Sequence, residues 1–217
     1  MRKLEEFILE KLKISKIERK YKPKNKEELV DLIISEIEAN GSDCSLNNID
    51  VSNITDMSYL FMGGDPLKYL HGHPVLSKFD GDISEWDVSS VTDMKYMFDE
   101  CQYTGKNGDI SDWKVSNVKD MDGMFADGKY NGDLSKWDVS NVTNMFGVFY
   151  NCEFDGTNGD ISNWDVSNVK RFDAMFRNSS FNGDISKWQV NPIAKRRMTG
   201  MFTNSPLENN PPAWYNN

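Results

Sequence analysis

Two histidines and three cysteines among 217 residues leave little with which to build nucleophilic or metal chemistry. Both histidines fall in one run, His71-Gly72-His73, so no Ser-His or Cys-His dyad can form outside it. No Cys or His cluster completes a tetrahedral metal shell around them, and a surface loop is the simpler reading. An odd cysteine count without clustered spacing argues against a disulfide framework and for a reducing compartment. A Gly-rich phosphate loop is missing too, so neither an enzyme nor a cofactor is expected. No apolar run approaches membrane-spanning length, and Glu5, Glu6 and Glu10 interrupt the apolar core that an export signal needs. A cytoplasmic protein without membrane insertion is the expectation.

Positive charge is scarce after the first forty residues. Residues 1–40 hold ten Lys/Arg and nine Asp/Glu, whereas residues 41–217 hold 15 against 25, a net −10. Acidity on this scale repels phosphate, so nucleic acid and anionic membrane are not expected ligands, while a basic protein partner fits. What the chain does have is 12% aromatic residues within 38% hydrophobic content, which is a folding composition.

Residues 1–41 read as an N-terminal helical cap. Leu4, Phe7, Ile8 and Leu12 recur at helical spacing, and a second helix follows Pro23. Asn25 is its N-cap, with Glu28 three residues on; Leu29, Val30, Ile33, Ile34 and Ile37 form its apolar stripe, and Asn40-Gly41 its stop.

From residue 42 to 205 the chain is periodic. Trp86, Trp113, Trp137, Trp164 and Trp188 follow one another at 27, 24, 27 and 24 residues, with Ile49 in the Trp place of a degenerate first copy. The alternation comes from three extra residues before every second Gly-Asp, and residues 62–80 form a longer insertion carrying both histidines. Residues 206–217 form a C-terminal tail or cap. Within a copy, Trp113 and Val115 alternate as on a strand, while Val118, Met121, Met124 and Phe125 follow helical spacing with Ser116 or Asn117 as cap. The pattern predicts an α/β repeat solenoid of short parallel strands and short helices. Each Trp then buries roughly 150–250 Å², on the order of 4–6 kcal/mol of transfer free energy, and forms a core ladder.

The rungs WDVSSVTDMKYMF, WKVSNVKDMDGMF, WDVSNVTNMFGVF and WDVSNVKRFDAMF resemble the BspA-like leucine-rich repeats common in mycoplasma surface lipoproteins and in gut bacteria and their phages. Phe98-Asp99-Glu100-Cys101 and Phe149-Tyr150-Asn151-Cys152 are similar to that family's Phe-x-x-Cys corner. The resemblance covers residues 44–205 and implies a leucine-rich-repeat-like solenoid that binds other proteins.

Repeated positions build the frame, so functional residues are sought among outward positions that vary. Those before each Trp are Glu85, Asp112, Lys136, Asn163 and Lys187; those after are Asp87, Lys114, Asp138, Asp165 and Gln189. Period-2 geometry turns both columns outward on a strand-lined face. The insertion residues Tyr69, Leu70, His71 and His73 form a second patch. Asp82, Asp109, Asp133, Asp160 and Asp184 recur in Gly-Asp and are read as turn caps rather than calcium ligands, which would need six to eight oxygens. Cys101 and Cys152, two copies apart at about 10 Å, are read as buried thiols. The expected function is a non-enzymatic protein-interaction module; the alternative is a structural or surface protein that self-associates or attaches to a particle or host surface.

Overall fold

The computed structural model describes residues 20–64 and 73–216. Its first helix, α1 (Lys26–Asn40), starts as the sequence predicts: the Asn25 side chain accepts from the Glu28 amide at 2.9 Å, and the Glu28 carboxylate accepts from the Lys24 amide at 2.8 Å. Leu29, Ile33 and Ile37 are buried against the first copy. The chain before α1 adds a parallel bridge between Tyr21 and Ile49. The expected earlier helix over Leu4–Leu12 lies outside the described residues.

The α/β expectation is overturned. Among the described residues the only helices are α1, the four-residue α2 (Ala213–Asn216) and two 3-10 turns, Leu76–Lys78 and Ala194–Arg196; there is no strand. Parallel pairing is confined to isolated bridges, such as Asp56–Asp93, Asp93–Asp120 and Asp120–Asn144. Each copy is instead a coil built of turns, numbered here 1 (Ile49), 2 (Trp86), 3 (Trp113), 4 (Trp137), 5 (Trp164) and 6 (Trp188).

Backbone hydrogen bonding explains why. The amides of Met94, Tyr96, Phe98 and Glu100 donate to the next coil, to the carbonyls of Asp120, Asp122, Met124 and Ala126, at 2.7–3.0 Å. The intervening amides of Met97, Asp99 and Cys101 close tight turns onto Met94, Tyr96 and Phe98, at 3.2–3.3 Å. Left-handed residues recur every fourth position, Tyr96 and Glu100 in coil 2, Gly123 and Asp127 in coil 3, Ala174 and Asn178 in coil 5. A left-handed residue breaks the i to i−4 ladder, so the Met-Met-Phe spacing that reads as a helix winds as successive turns. Asn117 does not cap a helix either: its amide donates to the Ser89 carbonyl of the preceding coil at 2.7 Å, a link repeated by Asn141, Asn168 and Asn191.

The core is a set of aromatic columns. Phe61, Phe98, Phe125, Phe149, Phe176 and Phe202 stack at 5.4–6.0 Å between ring centroids. The five repeat tryptophans are 5% exposed or less, as expected. Each indole Nε1 also donates to a carbonyl of the coil before, as in Trp113 to Ile83 at 3.2 Å and Trp137 to Ile110 at 3.0 Å. This unites apolar burial with a satisfied polar atom. The tail completes the ladder: Trp214 in α2 stacks on Trp188 at 6.1 Å and donates to the Ile185 carbonyl at 2.8 Å.

Candidate functional site

All ten residues predicted beside the tryptophans are exposed, but they do not line a strand face, because no strand exists there. Three of them have structural duties. Asp87, Asp138 and Asp165 accept from the amides of Ser89, Ser140 and Ser167 at 3.0–3.1 Å, closing a turn in each coil. Lys136 pairs with Asp112 at 2.8 Å, yet both are well exposed, so solvent screens the pair. Gln189 folds back on the Lys187 carbonyl at 3.1 Å. Glu85, Lys114 and Asn163 complete a polar surface of mixed charge.

The structure reveals a different feature, a groove of about 920 Å³ that crosses all six coils. Its lining comes from outward positions of the Met-Phe turns: Tyr59 and Met62 in coil 1, Tyr96, Asp99 and Glu100 in coil 2, Gly123, Ala126 and Asp127 in coil 3. Phe146, Gly147 and Tyr150 follow in coil 4, then Arg171, Asp173, Ala174 and Arg177 in coil 5, and Thr199 in coil 6. Tyr59 stacks on Tyr96 at 5.5 Å, and a Cβ at Gly123 would collide with the Tyr96 ring. Tyr59 and Tyr96 hold this place in coils 1 and 2, and the small residues Gly123, Gly147, Ala174 and Gly200 hold it in coils 3 to 6.

Charge is segregated along it. Asp99, Glu100 and Asp127 gather at coils 2 and 3, and Arg171 and Arg177, together with Asp173, at coil 5, with Phe146 and Tyr150 between. Asp99 is only 7% exposed; burial, reinforced by the carboxylates of Asp127, Glu100 and Asp122, pushes its carboxyl up to about 7. Asp122, on coil 3, is likewise raised by burial, and its Oδ1 has no hydrogen-bond partner. At the other end the Arg171 guanidinium lies 4.1 Å from the Phe146 ring centroid while its Nε pairs with Asp173 at 3.0 Å.

The remaining sequence candidates resolve as structure. Asp82, Asp109, Asp133, Asp160 and Asp184 each accept from the amide of the serine two residues on, at 2.8–2.9 Å. No group of three or more His, Cys, Asp or Glu among the described residues is placed to hold a metal ion. Cys101 and Cys152 are buried free thiols, each pushed up to about 12 by that burial. His73 is half-buried and accepts from the Val75 amide; Tyr69, Leu70 and His71 lie outside the described residues. The tryptophan period by itself does not point to the groove. A signal was present: the pair after the first Met of each run, or after Phe172 in coil 5, reads Lys95-Tyr96, Asp122-Gly123, Phe146-Gly147, Asp173-Ala174 and Thr199-Gly200, with wide variation in size and charge.

Stacked near-identical coils under a variable groove define a repeat protein with a frame and a separate surface. The chain belongs to the family described as "Mycoplasma protein of unknown function, DUF285", whose sequence model matches residues 33–156 and 102–215. No curated protein and no solved structure matches it. Among the described residues no helix is long and apolar enough to cross a membrane.

Proposed function

We propose that the chain is a non-enzymatic protein-binding module of the BspA-like repeat kind, and that its partner lies in the groove rather than along the tryptophan-flanking columns. The observation that carries this reading is a 920 Å³ groove assembled from six coils, whose lining varies while the aromatic core beneath repeats. Variation along an open groove is what recognition of one partner requires, since framework positions are already committed to stacking. The flanking columns are less suited. Their surface is charged and solvated, and Asp87, Asp138 and Asp165 are occupied in closing turns. α1 and α2 cover the two ends of the coil column, which disfavours growth by end-to-end stacking.

The test is site-specific photo-crosslinking. Full-length protein carrying a photoreactive phenylalanine at Tyr150 or at Lys114 is exposed to lysate of the source cell, and adducts are identified by mass spectrometry. A discrete heterologous protein captured from position 150 and not from 114 is expected. Capture from 114 alone would move the site back to the columns, and adducts formed only with copies of the same chain would replace binding by self-association.

A further inference from the structure

Resting on that reading, we propose that the groove takes an extended peptide with a cationic side chain at the Asp99–Glu100–Asp127 end and an anionic one at the Arg177 end, four to six residues apart, with an apolar residue between them.

Spacing and charge carry the argument. The stacked rings of successive coils lie 5.5–5.9 Å apart between centroids, from Phe98 through Phe125 and Phe149 to Phe176. The acidic residues of coil 2 and the arginines of coil 5 are three such steps apart, roughly 17 Å, and an extended chain rising about 3.3 Å per residue covers that in about five residues. At the acidic end, Asp99 is almost wholly buried at the groove floor with Glu100 and Asp127 beside it, and no basic side chain lines this end. Three carboxylates converging in one place repel one another, and a ligand ammonium or guanidinium relieves that repulsion. At the basic end Arg171 is already paired with Asp173 and laid on Phe146, which leaves the exposed Arg177 as the group that meets an incoming carboxylate. Phe146 and Tyr150 offer the apolar contact between. A polyanion is rejected by the acidic half and a polycation by the basic half, so the pattern is specific by exclusion as well as by attraction.

The experiment pans a random nine-residue display library against the full-length chain. Enriched peptides are then synthesised with a fluorescent label and titrated by anisotropy against wild type, Asp99→Asn/Glu100→Gln and Arg177→Glu, each checked for an unchanged melting transition or a raised one. Expected are peptides with Lys or Arg four to six residues from Asp or Glu, at least tenfold weaker on both variants. Binding to Arg177→Glu should return when the peptide acid is changed to lysine. Enriched peptides of another pattern that still compete for the groove overturn this inference and leave the protein-binding reading standing. Enrichment of nothing, with crosslinking from Tyr150 still capturing a protein, overturns it in favour of a folded partner surface; failure of both experiments overturns the reading itself.

Discussion

Replacing Asp99 by asparagine is expected to stabilise the protein at pH 8 and to change little near pH 4. Asp99 is 7% exposed, and its carboxyl is raised from 3.8 to about 7, first by burial and then by Asp127, Glu100 and Asp122. In the unfolded chain the same group ionises near its ordinary value. Above pH 7 both states are ionised, and the folded state carries the whole penalty of a desolvated charge among like charges. As pH falls through 7 the folded state takes up a proton first, and the penalty is gone once pH reaches the unfolded value. At full effect this amounts to about 4 kcal/mol; water in the groove reduces it, and we expect about 1–3 kcal/mol. Asparagine has nearly the same shape, and the Glu100 amide keeps its acceptor, the Ala126 carbonyl. Thermal melts of both proteins, followed by tryptophan fluorescence at pH 8 and pH 4, measure the difference. A rise of roughly 2–10 °C for the variant at pH 8, shrinking toward zero at pH 4, is the expected result. A variant that melts lower than wild type at pH 8, or a difference independent of pH, refutes the electrostatic reasoning.

Three further outcomes follow from the frame. Trp137→Ala should cost about 3–5 kcal/mol in urea unfolding, and Trp137→Phe about 1–3, because the ring contact survives while the Ile110 carbonyl loses its donor. Asp138→Ala should lower stability by about 1 kcal/mol and Asp138→Asn by much less, since asparagine can still accept from the Ser140 amide; equal losses would show that charge matters there rather than the turn. Cys101 and Cys152 should resist a thiol-disulfide reagent at pH 8 in native protein and react in urea, because each is buried and pushed up to about 12.

The repeat, its core and the start of α1 were legible because copies of one chain can be compared with one another. A position that holds Trp five times at alternating 27- and 24-residue steps, between exposed neighbours, can only be a buried rung. The winding of each coil was not legible. Met-x-x-Met-Phe satisfies both a helical turn and a train of tight turns, and the deciding left-handed residues include Tyr59, Tyr96, Glu100 and Ala174, types that rarely adopt that conformation. They adopt it here because each coil supplies carbonyls to its neighbour's amides, information spread over 24–27 residues rather than held in one window. The segment expected as a tail or cap meets the last coil through its rings. Trp214 continues the ladder as a sixth indole without the rest of the repeat.

The frame also accounts for some of the groove's polarity, and what it leaves unexplained is the strongest argument for function. The left-handed position after each Phe run is Glu100, Asp127, Asn151, Asn178 and Asn204. Asparagine and aspartate tolerate that conformation, so a polar residue there serves the backbone whatever its charge. No such need applies to Asp99 or Asp122. Neither is left-handed, both are 7% exposed, and both have carboxyls that burial raises. The corresponding places in the other coils hold Met62, Ala126, Tyr150, Arg177 and Thr203 for the first, and Ser58, Lys95, Phe146, Asp173 and Thr199 for the second, so the fold accepts uncharged residues at both. A chain that retains buried acids at sites where its own repeats demonstrate neutral alternatives is carrying instability that stacking does not require. A cation delivered by a partner is the simplest thing that offsets it, which ties the stability of the Asp99→Asn variant and its loss of peptide binding to one cause.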